Sequence, residues 1–166
     1  MENTPKKLVI TRTLNAPRDV VWKAWSEKEQ FAKWWGPKGF DLEAKEFDFR
    51  PGGRFHYSMT AGANVMWGLF VYEDIKEPDT IIFVSSFSDP EGNVTQPAFS
   101  DVFPLRIKNV FKFEEHDGKT TLTLTGGPVD ATPEGQAFYE GMFESMNGGF
   151  KGTFDKLDAL LAGEEA

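Results

Sequence analysis

The spacing of apolar positions along the chain changes three times, and each change predicts a different kind of element. Residues 8–14, LVITRTL, are aliphatic and β-branched, which predicts a strand. APRDVVWKAW then places Val21, Trp22 and Trp25 as a short helix does, with Pro17 suited to its first helical position. A second short helix over 27–35 stops at Gly36-Pro37, where Gly accepts a left-handed cap and Pro cannot continue. Strand patterns follow over 41–49, 53–60, 65–75, 80–87, 105–115 and 119–126. Turn residues join most of them, at Pro51-Gly52-Gly53, Ala61-Gly62, Glu77-Pro78-Asp79 and His116-Asp117-Gly118. Such short connections predict an antiparallel meander. The exception is SDPEGNVTQPAFSDVFP, residues 88–104, whose length fits a lid and a plain flexible loop equally.

After the strands the spacing becomes helical for the last time. Thr132 is placed to cap, Pro133 suits the first helical position, and Glu134 complements the dipole. Tyr139, Phe143, Met146, Phe150, Phe154, Leu157 and Leu161 recur every three or four residues, so one long helix with a continuous apolar stripe is expected. Glu140, Glu144, Lys151, Asp155 and Asp158 share its polar face. A stripe of that length needs a large apolar partner, and the sheet is the only candidate. The expected architecture is therefore α+β: a strand, two short helices, six strands, and a long C-terminal helix on the concave face of a curved antiparallel sheet.

Two features of this layout suggest more than a filled core. Gly141, Ser145, Gly148 and Gly152 form one flank of the long helix, joined by Gly149, and each interior glycine costs about 0.5–1 kcal/mol relative to Ala. Close backbone packing or a kink near Gly148-Gly149 accounts for them; so does room for a ligand or for helix movement beside the sheet. The strands leave a similar choice. Phe55, Tyr57 and Met59 alternate with Arg54, His56 and Ser58, while Gly68 and Ser85 interrupt otherwise bulky apolar faces. Aromatics and Met broken by small residues make up ligand cavities as well as ordinary cores. The adjacent Trp34 and Trp35 sharpen the point: neighbouring helical side chains diverge by about 100°, so one ring is expected to plug the interior and the other to face an opening.

Composition narrows the chemistry. The 166 residues, 40% of them hydrophobic, suit a single domain, read as 1–166. A net charge of −8 without a basic cluster argues against nucleic acid, and the absence of cysteine removes disulfides, thiolate metal sites and a thiol nucleophile. No apolar run resembles a signal peptide or a membrane span, which reads as a soluble cytoplasmic protein. His116 lies in a turn and is expected to be solvated; His56 is the one general-base candidate, though its strand partners assign it to the outer face. The carboxylate pairs Glu46 with Asp48 and Glu73 with Asp74 read as solvated faces, and Arg54 as a surface residue or an anchor for a ligand carboxylate. No zinc helix, phosphate loop or nucleophile elbow is present, so no catalytic residue, cofactor or metal is assigned.

APRDVVWKAW, WWGPKGF, FRPGGRFHYSM, the Gly68 strand, SDPEGN, TTLTLTGGP and GFKGTFDKLDALLA together resemble the family called activator of heat-shock protein 90 ATPase homologue, a branch of the START-like or polyketide-cyclase-like SRPBCC helix-grip superfamily. The resemblance runs from about Leu8 to Ala162. It implies a curved sheet gripping the C-terminal helix, with a cavity between them that takes an apolar small molecule in many relatives. The expected ligand-lining residues are Trp34, Trp35, Phe40, Phe55, Tyr57, Phe83, Met142, Met146 and Phe150. Three readings follow: a protein binding a small apolar or aromatic ligand, a stress-related co-chaperone that contacts a chaperone, and a cyclase-like or hydrolytic enzyme using His56 or Tyr57. Oligomeric state is left open.

Overall fold

Strand β1 (Leu8–Leu14) leads into α1 (Arg18–Ser26) and α2 (Lys28–Trp34). There follow β2 (Asp41–Phe47), β3 (Arg54–Ala61), β4 (Asn64–Lys76), β5 (Thr80–Ser88), β6 (Ile107–His116) and β7 (Lys119–Pro128), then α3 (Pro133–Gly141) and α4 (Phe143–Leu161). The structure is a computed structural model and describes residues 7–36, 39–97, 100–129 and 131–162. All pairings are antiparallel, in one seven-stranded sheet of order β1-β7-β6-β5-β4-β3-β2. Register shifts at Ala44/Glu46 and Tyr72/Asp74 bend β2 and β4, as bulges do by inserting an unpaired residue.

The strand alternation was legible because one face is buried. Phe55, Phe70, Phe83 and Phe111 lie beside one another on four adjacent strands, their ring centroids 5.2, 4.0 and 5.6 Å apart in sequence across the sheet. Trp22, Trp25, Phe31 and Trp34 from the short helices and Phe154 and Leu157 from α4 complete this cluster. Arg12 on β1 binds α4 directly, donating to Asp155 at 2.7 Å and to Asp158. Together these elements form a helix-grip architecture, the sheet holding the C-terminal helix against its concave face.

The single long helix of the sequence reading is two helices. Met142, at φ −98° and ψ 3°, leaves the helical path between α3 and α4. A small apolar cluster spans the break, taking Tyr139 from α3, with Leu8, Phe103 and Ile107, and Phe143, Met146 and Phe150 from the first half of α4. From Phe150 onward α4 also meets the main cluster, which Phe154 and Leu157 join. The break falls at Met142 and not at Gly148-Gly149, through which α4 runs unbroken. Close packing does not explain three of the glycines either: a Cβ at Gly141, Gly148 or Gly149 would meet nothing within 4 Å. Thr132 does cap α3, accepting the Gly135 N–H at 3.0 Å. Pro17 proves to be the residue before α1, not its first helical position.

Gly36 takes φ +98°, as the stop at the end of α2 requires, while Pro37 lies outside the described residues. Its carbonyl accepts the Thr153 hydroxyl at 2.9 Å, which fixes the end of α2 to α4. Among the described residues no helix is long and apolar enough to cross a membrane.

Candidate functional site

Where α3 and α4 leave the sheet, a cavity of about 200 Å³ remains between them and the strands. Its walls are mostly apolar, with Leu8, Tyr57, Met59, Phe87, Phe103 and Phe150 prominent. A second compartment of about 210 Å³ lies under the end of α2, lined by Trp35, Gly36, Gly149 and Thr153. The two share Tyr57, Met59, Met146 and Phe150 as a dividing wall. Ligand cavities commonly measure about 300–1,000 Å³, so either compartment alone is small for one.

One inner-face position on each of four neighbouring strands is small or polar: Gly68 on β4, Ser85 on β5 and Asn109 on β6, which line the cavity, and Gly126 on β7, which pairs with Asn109. Gly68 admits the Tyr57 ring, whose Cζ and hydroxyl would lie 2.5 Å from any Cβ there. Gly126 does the same for polar atoms: a Cβ would sit 3.0 Å from the Tyr139 hydroxyl and 3.3 Å from Asn109 Oδ1. Asn109 is held in place by donating to Ser85 Oγ at 2.9 Å and to the Ile107 carbonyl at 3.1 Å. Burial pushes the Tyr57 phenol up to about 12, against a smaller opposing effect of the Trp35 indole. Burial also pushes Tyr139 up to about 12. Both phenols therefore stay neutral hydrogen-bonding groups at physiological pH.

Of the residues expected to line a ligand cavity, Trp35, Tyr57, Met146 and Phe150 are brought together at these compartments. Trp34, Phe55 and Phe83 are not: they lie in the closed core. Trp34 is fully buried, and its indole N–H donates to the Ala24 carbonyl at 2.9 Å, which commits it to the interior as a plug. Phe40 packs against the main cluster and Met142 against the smaller one, and neither lines a compartment. Asn109 and Gly126 were missed by the sequence reading. Asn109 left a signal, since it occupies the same alternating face as Ile107, Phe111 and Phe113.

His56 points away from the cavity, on the face opposite Phe55 and Tyr57, as expected from alternation, but that face is not open there. Only 3% of it is exposed. The start of the long connection folds over it, with His56 Nε2 3.1 Å from the Asp89 carbonyl and its ring 5.1 Å from Trp67. Asp89 shapes this turn by accepting the Glu91 and Asn93 N–H groups, each at 2.9 Å, and the hydrogen bonds from Asn93 hold its carboxyl below the usual range. Farther along, Phe103 and Pro104 of the same connection reach the cavity wall. The Val102 carbonyl lies 2.7 Å from where a Gly135 Cβ would be, so α3 packs closely on that end. The described parts of the 88–104 segment thus touch both faces of the sheet.

The carboxylate pairs meet cations instead of each other. Glu46 binds Arg54 at 2.7 Å, Asp48 binds Arg50 at 2.8 Å, Glu73 lies 3.5 Å from Lys108 and Asp74 3.7 Å from Lys76. Arg54 is accordingly engaged on the outer face and does not reach the cavity. Among the described residues no group of three or more His, Asp or Glu side chains is arranged to hold a metal ion.

Comparison with known proteins agrees with this geometry. The sequence profile described as Activator of Hsp90 ATPase homolog 1-like protein matches residues 15–162. The crystal structure of protein Ms6760 from Mycobacterium smegmatis is similar, with 30% identity and a TM-score of 0.77 over 93% of this chain and 90% of that one. A solution structure from Arthrobacter aurescens shares 23% identity at a TM-score of 0.79, covering 95% of this chain and 86% of its own. The AHSA1 protein from Silicibacter pomeroyi shares 18% at 0.68, covering 95% and 98%. These last two likenesses concern the fold alone. No curated protein matches the chain in sequence.

Proposed function

The chain belongs to the Activator of Hsp90 ATPase homolog 1-like protein family, and on that footing we propose that it binds a small apolar or aromatic molecule between the sheet and its C-terminal helices. The observation that carries this reading is the band of small and polar residues, Gly68, Ser85, Asn109 and Gly126, on the otherwise aromatic inner face of four adjacent strands. At Ser85 and Asn109 a sequence selected only to fill a core would place Val, Leu or Phe, since interiors pack to crystal density and voids forfeit contacts, while Gly68 and Gly126 make room for the Tyr57 ring and the Tyr139 hydroxyl on the cavity's edge. Trp35, Tyr57, Met146 and Phe150 would contact the ligand, and Trp34, Phe55, Phe83, Phe40 and Met142 would support that wall from behind. Among the described residues the walls of the two compartments include no carboxylate, imidazole or amine, which favours binding over acid–base chemistry in the same space.

Native mass spectrometry of protein purified from its own host tests the reading, together with titration of the neutral fluorescent probe N-phenyl-1-naphthylamine. We expect a co-purifying small molecule or saturable probe uptake, abolished by Ser85→Leu. An empty protein that takes up no probe overturns the proposal. The family's name points to a chaperone partner instead; in that case filling the chamber would change stability without changing chaperone capture.

A further inference from the structure

We infer that the inner end of this chamber selects a neutral ring-bearing ligand with a hydroxyl or N–H donor, and disfavours carboxylates such as fatty or aromatic acids; the inference rests on the binding reading above. It starts from the hydrogen bonds already spent. Both bonds from Asn109 leave its amide nitrogen, to Ser85 Oγ and to the Ile107 carbonyl. A carbonyl only accepts, so the amide orientation is fixed and Oδ1 is the atom turned elsewhere. Among the described residues neither Asn109 Oδ1 nor the Tyr139 hydroxyl has a protein hydrogen-bond partner, and both residues line the cavity; the fully buried unpaired side-chain atom is Trp25 Nε1, in the main core.

These two oxygens converge over Gly126, which is bare of side chain. Unpaired polar atoms on a cavity wall are open to a ligand group that hydrogen-bonds to them, and an apolar ligand that covers them leaves them unsatisfied. Asn109 Oδ1 can only accept, so its partner must be a donor; Tyr139 can give a proton back to the same group or to a neighbouring oxygen. A hydroxyl meets both demands with one atom.

Charge is excluded by what surrounds them. Among the described residues no Lys or Arg lines either compartment, so a carboxylate would lose its hydration and face the partial negative charge of Asn109 Oδ1 without a described cation beside it. Among the described residues no Asp or Glu lines them either, so an ammonium would find no described carboxylate partner there. Phe87, Phe103 and Phe150 on the walls, with the Tyr57 ring, suit a flat apolar body attached to that single polar group.

The test uses three ligands with one ring skeleton, naphthalene, 2-naphthol and 2-naphthoate, each displacing N-phenyl-1-naphthylamine at pH 7. We expect 2-naphthol to bind roughly two- to tenfold tighter than naphthalene, the worth of one neutral hydrogen bond, and 2-naphthoate to bind more weakly than either. Tyr139→Phe, which keeps the ring and its packing, and Asn109→Leu should each shrink the lead of 2-naphthol over naphthalene. Comparing the two ligands within one variant cancels any general loosening of the fold. If the probe binds but 2-naphthol has no lead, or 2-naphthoate binds best, the selectivity inference fails and the chamber stands. If neither the probe nor any of the three binds, both fail.

Discussion

Replacing Gly68 with alanine adds one methyl group, and the structure gives the consequence a sign. The backbone at Gly68 is not in the left-handed region, so Ala is conformationally acceptable there. On backbone entropy alone the change should stabilise by about 0.4–1 kcal/mol. Against this, the new Cβ would lie 2.5 Å from Tyr57 Cζ and Oη, where ordinary contact begins at 3.4 Å. Tyr57 is stacked on Phe55 at 4.6 Å and 14°, so the ring cannot retreat without breaking that contact or entering the chamber. Overpacking of this kind costs about 1–3 kcal/mol. The clash should win: Gly68→Ala is expected to destabilise the protein by about 1–2 kcal/mol in urea unfolding followed by tryptophan fluorescence. Tyr57→Val removes the clashing ring, and on that background Gly68→Ala should be neutral or stabilising. The double-mutant cycle should therefore show a coupling of about 1.5–3 kcal/mol. Equal destabilisation in both backgrounds would refute the account of Gly68 as space made for Tyr57.

The tryptophan pair separates two roles. Trp34→Phe should cost about 2–3 kcal/mol by leaving a void and an unpaired Ala24 carbonyl, whereas Trp35→Phe should alter probe uptake with a smaller change in melting temperature; similar effects from both would dissolve the distinction. A pH series checks the clamp between β1 and α4. Hydrogen bonding to Arg12 holds the Asp155 carboxyl below its ordinary value, so the stabilisation is fully present above the ordinary carboxylate range and is lost as pH falls through the lowered value. Arg12→Met should lower the melting temperature at pH 7 and converge with the parent in acid, and a gap that does not depend on pH would count against the ion pair.

What could be read from the sequence was whatever depended on local period. β1 was placed over its full observed span, and the alternation of Phe55, Tyr57 and Met59 against Arg54 and His56 assigned both faces of β3 correctly. The same periodicity failed where the decisive contact is distant in the chain. It put His56 on an outer face but had no means of showing that Asp89, from a connection thirty-odd residues away, closes over it. It joined α3 and α4 because the stripe from Tyr139 to Leu161 is unbroken in sequence, and the turn at Met142 leaves that spacing intact. Aromatic residues were likewise easy to nominate for a cavity and hard to divide between cavity and core. Trp34, Phe55 and Phe83 have the right composition, and only packing shows them closed in. The polar end was harder still, because Asn109 looks like any polar residue in a strand until its alternating neighbours are considered.

The partition between the two compartments contains two methionines, Met59 and Met146. An unbranched thioether side chain has several rotamers of similar energy and keeps good contacts in most of them. A wall built partly of such side chains is an adjustable stop: rotating them lengthens or shortens the usable chamber while every strand and helix stays where it is. On the binding reading proposed above, ligand length would be the property discriminated least, and the fixed chemistry at Asn109 and Tyr139 the property discriminated most.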